Sequence, residues 1–106
     1  WYPNNTIYSN GAIVANQTNT TPGTVQVYKV AVDATTRKVW IGREDEAWPN
    51  SGDPETGSNP TATLSGTDAI FSMATPFLST SGTYVDLVSD PSDMIGSPPS
   101  GFTAGI

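Results

Sequence analysis

The sequence predicts an all-β chain, an antiparallel β-sandwich, on three observations. Only 36% of the residues are hydrophobic and 13% charged, with Thr, Ser, Gly, Asn and Pro filling most of the rest, as in many short strands joined by tight turns. β-branched and aromatic residues fall in short runs bounded by turn formers. No window places apolar residues at i, i+3, i+4 and i+7 for three helical turns. At 106 residues the chain suffices for one compact domain with a single core.

The elements follow in order. Pro3, Asn4 and Asn5 turn into a short strand at Thr6, Ile7 and Tyr8. Asn10-Gly11 is a hairpin signal, because a type I′ turn needs positive φ at both central residues, and residues 12–15 form the return strand. Residues 16–23 are a polar loop closed by Pro22-Gly23. Val25, Val27, Tyr28, Val30 and Val32 then make a long strand, Asp33, Ala34, Thr35 and Thr36 supply a turn, and residues 38–42 return as its partner. Glu44, Asp45 and Glu46 form an acidic tip, and residues 49–60 hold turn formers at nearly every position. Residues 61–64 read as a strand, 65–68 as a turn and 69–73 as a short apolar run. Residues 76–82 read as a loop, 84–88 as the last strand, and 90–106 as a Pro/Gly-rich tail. Period-two patterning assigns the core to Val30, Val32, Val39, Ile41, Leu64, Phe71, Val85 and Leu87, with Trp40 packed into it.

Charge and composition exclude several functions. The net charge is −6 with only Lys29, Arg37, Lys38 and Arg43 basic, so nucleic acid and anionic membrane surfaces are repelled, phosphate binding depending on clustered Lys and Arg. The acidity serves solubility. No apolar segment approaches the length of a membrane span, and no signal sequence opens the chain. With neither cysteine nor histidine, disulfides, thiolate-zinc and imidazole-metal sites, cysteine nucleophiles and Ser-His triads are unavailable. No catalytic residue, metal or cofactor is expected.

The remaining polar clusters read mainly as surface turns. Glu44, Asp45 and Glu46 are consecutive, whereas the glucanases built on a related sandwich aim alternate acids of one strand into one cleft. Asp53, Glu55, Asp86, Asp90 and Asp93 could offer oxygen ligands, but without the spacing of a calcium loop. Asp53, between Gly52 and Pro54, is suited to accept backbone N–H bonds within its turn. Asn4, Asn16 and Asn19 match the N-glycosylation pattern, in an Asn/Thr-rich setting where such matches arise by chance. Trp48 and Trp1 are candidates for stacking on a sugar.

The residues Val30, Ala31, Asp33, Lys38, Val39, Trp40 and Gly42, then Trp48, then Gly52, Asp53, Pro54, Gly57, Asn59 and Pro60, with the closing Pro98-Pro99-Ser100-Gly101-Phe102, resemble a SPRY-type domain of the phage or microbial kind. The resemblance spans residues 7–103. It implies a concanavalin A-like or jelly-roll sandwich of which this chain holds the C-terminal part, without the first strands. It also implies a non-catalytic binding or decoration module of a virion fibre, tail or cell-surface assembly, located on a virion or outside the cell. The partner would be a glycan or protein receptor met through loops 16–23, 44–59 and 76–82. Trp48, Glu44, Glu46, Asn50 and Asn19 are the candidate ligand-binding residues. The alternative is a self-assembling structural subunit, a homo-oligomer or filament in which a neighbour supplies the missing strands.

Overall fold

A computed structural model describes residues 6–9, 12–16, 27–70 and 86–105. The described residues form five strands in two antiparallel sheets, with no helix longer than a single short turn. Strands β1 (Thr6–Ser9) and β2 (Ala12–Asn16) pair into a hairpin. Its register shifts between Ile7 and Tyr8, so that Ile7 faces Ala15 and Tyr8 faces Ile13. Val14 is the extra residue of a β-bulge. The expected Asn10-Gly11 turn lies outside the described residues, as do Phe71, Val85, Trp1, Asn4, Asn19 and the loops 17–23 and 76–82.

The second sheet has the order β3-β4-β5, with β3 at Tyr28–Asp33, β4 at Lys38–Arg43 and β5 at Ala62–Thr63. Tyr28 pairs with Arg43 and the register runs unbroken to Asp33 and Lys38. The turn is set by Asp33, whose Oδ1 accepts from the Thr35 and Thr36 N–H at 2.9 and 3.1 Å while Oδ2 accepts from the Thr36 hydroxyl. Arg37 follows in the left-handed region at φ 60°. The same loop recurs at residues 53–58. Asp53 and Ser58 exchange both backbone bonds, Asp53 Oδ1 accepts from Glu55 and Thr56 N–H, Oδ2 accepts from the Thr56 hydroxyl at 2.7 Å, and Gly57 has φ 70°. Asp-x-x-Thr followed by a left-handed residue therefore closes two four-residue loops by one mechanism, the side chain standing in for missing backbone partners.

Trp40 is buried as expected, and it sets the core on the face opposite to the valines assigned to it. Ala31 and Trp40, paired across β3 and β4, are buried at 4% and 1% exposure. Val30, expected inside, is 56% exposed, and Val32, Val39 and Ile41 on its face are only half-buried. The cause is the near-continuous apolar run on both strands, which gives two plausible inner faces one residue out of phase. Trp40 decides between them. It buries the larger surface, and its Nε1–H finds a carbonyl partner inside the loop that covers it, as a buried indole requires.

The loop closes over Trp40 from both sides of Gly52. Pro49–Ser51 is a tight turn in which Asn50 and Ser51 have φ 56° and 55°, and Gly52 N–H bonds to the Pro49 carbonyl at 2.9 Å. This is type I′ geometry. A Cβ on Gly52 would meet the Asn59 and Pro49 carbonyls at 3.0 Å and Trp40 Cδ1 at 3.1 Å. Thr61 is buried and its hydroxyl accepts the Ile41 N–H at 3.0 Å, extending the β4-β5 ladder through a side chain.

Residues 86–88, expected to end the last strand, have no strand assignment, and Leu87 and Val88 are 53% and 45% exposed. The tail they open folds instead through local bonds. Asp90 caps a short 3-10 turn at Pro91–Asp93 by accepting the Ser92 N–H and hydroxyl, and Phe102 N–H bonds the Pro99 carbonyl. It returns to the body at Trp40, where Phe102 stands edge-on with centroids 6.3 Å apart, and at Glu55, whose carboxylate accepts the Ser100 N–H at 2.8 Å. The β3-β4 hairpin, the loop of residues 52–58 and the tail thus meet at one indole.

Candidate functional site

Four of the five expected ligand-binding residues, Glu44, Glu46, Trp48 and Asn50, lie on the loop that leaves β4. Asn19 lies outside the described residues. The loop's geometry begins at Gly42, buried in β4 opposite Lys29. A Cβ there would come within 3.2 Å of Trp48 Cε3, 3.3 Å of Pro49 Cδ and 3.6 Å of Lys29 Cε. Glycine in a strand thus marks a close approach, here the seat of the Trp48 indole.

Lys29 holds Trp48 in that seat. Its ammonium is 4.8 Å from the centroid of the Trp48 ring and donates to the Glu46 carbonyl at 2.7 Å. The cation-π contact and the hydrogen bond fix the chain between residues 46 and 48 against β3. Trp48 is half-buried, so part of the ring meets solvent.

The acidic tip is divided rather than convergent. The Arg43 guanidinium reaches Asp45 Oδ2 at 2.6 Å and Glu46 Oε1 at 3.0 Å, a fork that takes one carboxylate on each side. The Arg43 side chain is itself 16% exposed while Asp45 is 66% exposed, so the outer pair is weak and the inner one more protected. Glu44 turns toward the tail: a Cβ on Gly96, at φ 81°, would come within 2.7 Å of its Oε1. The Glu44 backbone meanwhile continues the sheet, its N–H bonding the Val27 carbonyl at 3.0 Å. Burial pushes the phenol of Tyr28 above its ordinary value, with Arg43 opposing and Glu46 reinforcing.

Asn50 is exposed at the tip of the type I′ turn, where its left-handed backbone is its evident role. Among the described residues no group of three or more Asp or Glu side chains is arranged to hold a metal ion. Of the carboxylates weighed for calcium, Asp53 and Asp90 bond to their own turns and Glu55 to the tail.

Sequence reasoning passed over Lys29, Arg43 and Arg37. The signal for Lys29 was available: it pairs with Gly42, and a strand glycine followed six residues later by a tryptophan announces that something packs over it. Arg37 had no such signal. Its Nε, Nη1 and Nη2 donate to the Leu64, Asp68 and Ser65 carbonyls at 3.3, 2.9 and 3.3 Å, tying the β3-β4 turn to the loop after β5.

Among the described residues no helix is long and apolar enough to cross a membrane. No protein-family model, curated protein or solved structure matches the chain.

Proposed function

We propose that the chain is a non-catalytic binding or decoration module of a virion fibre, tail or cell-surface assembly, built on a SPRY-type, concanavalin A-like sandwich. It recognises a glycan or protein on the loop that leaves β4. The observation that carries this reading is the seating of Trp48, a partly exposed indole held on Gly42 under the Lys29 ammonium. An aromatic ring immobilised before binding loses little conformational freedom on contact with a sugar or apolar group. The packing of the Gly52-Asp53-Pro54 loop and the Pro98–Phe102 tail around Trp40 supports the family resemblance, and the divergence of the acids on Arg43 and Gly96 favours recognition over hydrolysis.

The test is binding to an array of glycans by the intact chain and by Trp48→Ala. Loss of about 1–3 kcal/mol of affinity with an unchanged circular dichroism spectrum is the expected result. Equal affinity in a folded Trp48→Ala protein moves the site elsewhere.

A second reading, the self-assembling structural subunit, is favoured by one feature: among the described residues β3 is an edge strand of its sheet, with a largely exposed valine at its centre. Light scattering across concentrations tests it directly.

A further inference from the structure

The outer edge of β3 has a self-complementary sequence. The bond from Glu44 N–H to the Val27 carbonyl sets the alternation of the β3-β4 ladder, so that Lys29, Ala31 and Asp33 carry the hydrogen-bonded pairs with Gly42, Trp40 and Lys38. The backbone N–H and C=O of Val30 and Val32 therefore point away from β4. Among the described residues no strand pairs with that edge, and the Val30 side chain is 56% exposed. Natural sheets protect such an edge with charge, proline, bulges or a covering element. Here the register is unbroken, no proline interrupts the strand, and its two charges, Lys29 and Asp33, are of opposite sign and flank the valines.

We infer that β3 is a homodimerisation strand, pairing antiparallel with β3 of a second copy about a two-fold axis through Ala31. In that register Val30 faces Val32 of the other copy in a hydrogen-bonded pair and Ala31 faces its own mate. Lys29 stands directly opposite Asp33 of the other copy, twice by symmetry. Every outward backbone group of Val30 and Val32 gains a partner, and the exposed Val30 gains an apolar neighbour on its own face in Val32 of the other copy. Like charges never meet. Moving the axis to Val30 also matches the outward backbone groups, but it sets Lys29 against Ala31 and Asp33 against Val27, losing both facings of opposite charge. Lys29 leans over Gly42 to Glu46 and the Asp33 carboxylate accepts from Thr35 and Thr36, so the facing charges favour this register by their opposite sign rather than by a direct hydrogen bond. The interface is isologous and closed, and it leaves Trp48 and the loop after β4 with their own strand contacts.

This inference rests on the self-assembly reading and is tested so that the two can fail separately. Sedimentation equilibrium of the full chain, from low to high micromolar concentration, is expected to show a monomer-dimer equilibrium. Val30→Pro removes an N–H that β4 does not use, a substitution edge strands accept, and is expected to raise the dissociation constant at least about tenfold, roughly the loss of one good interaction. Val30→Lys serves the same purpose should the proline variant not fold. The chain has no cysteine, so Ala31→Cys reports the register: on the axis its Cα atoms lie about 4.5 Å apart, within disulfide range, and mild oxidation is expected to link it into dimers while Val30→Cys remains unlinked. A strict monomer overturns both the inference and the self-assembly reading. An oligomer indifferent to Val30→Pro and Val30→Lys, or one that Ala31→Cys fails to trap, overturns the inference alone.

Discussion

The indole Nε1–H of Trp40 donates to the Ser58 carbonyl at 2.9 Å, and the same carbonyl accepts the Asp53 N–H at 3.0 Å. One oxygen thus joins the core of the sheet to the loop that covers it. Trp40→Phe keeps most of the apolar surface and removes one of the two donors, leaving the carbonyl satisfied by Asp53. The expected cost is about 1 kcal/mol, against about 3–5 kcal/mol for Trp40→Ala, which also opens a cavity under Gly52 and Phe102. Urea unfolding followed by circular dichroism separates the two. Equal losses would mean that the hydrogen bond, not the packing, holds the loop.

Two positions on that loop should respond in opposite directions. Ser51 adopts φ 55° at an exposed turn position, so Ser51→Gly is expected to stabilise the chain by about 0.5–1 kcal/mol. Gly57 has φ 70° and open space beyond Lys38 Nζ at 3.5 Å. Gly57→Ala is therefore strained by its backbone alone and should cost about 1–2 kcal/mol. Melting temperatures of the two variants and their parent decide the signs.

Acid should loosen the turns first. The Asp33, Asp53 and Asp90 carboxyls are held below the ordinary value of 3.8, chiefly by the hydroxyls of Thr36, Thr56 and Ser92 and then by backbone N–H groups. A lowered folded-state value means that the ionised form is favoured by folding. The contribution is complete above the unfolded value and disappears as pH falls through the folded one. Stability from these groups is expected to be flat above about pH 5 and to fall below about pH 4. Thr56→Val, which removes the main donor to Asp53, should make the acid limb shallower. An unchanged limb would assign the acid sensitivity to other carboxylates.

The hairpin from Tyr28 to Arg43 was readable because its turn chemistry and its strand residues agree, and Asp53 was readable because Gly52 and Pro54 leave its side chain few other uses. Which face of that hairpin turns inward was not readable. Valines at 30, 32 and 39 compete with Ala31 and Trp40, and only the loop of residues 49–59 supplies the cover that settles it. The tail was misread for a related reason. Asp86, Leu87 and Val88 look like the end of a strand, yet the contacts that hold this segment's continuation are Ser100 to Glu55 and Phe102 to Trp40, 45 or more residues apart, and no local period reports them. At the candidate site, Trp48 and the acids were identified as residues, but their settings depend on Lys29 and Arg43, which reach them from the strands.

Arg37 presents the sharpest conflict between local and tertiary preference. Its φ of 60° favours glycine, and the equivalent position of the second Asp-x-x-Thr loop is Gly57. Arg37→Gly would recover about 1 kcal/mol of backbone strain while surrendering the hydrogen bonds to the Leu64, Ser65 and Asp68 carbonyls. The shortest of these, to Asp68 at 2.9 Å, is exposed and the Leu64 contact is part-buried, so the set contributes less than three buried charged bonds would, about 2 kcal/mol. The net expectation is a loss of about 1 kcal/mol, with faster amide exchange confined to residues 64–68 and the β3-β4 ladder unchanged. Arg37→Lys keeps the strain and the charge but loses the planar fork, and should be the less stable of the two variants. If Arg37→Gly proves more stable than the parent, the guanidinium contributes nothing to holding the loop after β5 and the residue is tolerated at that φ for some other reason.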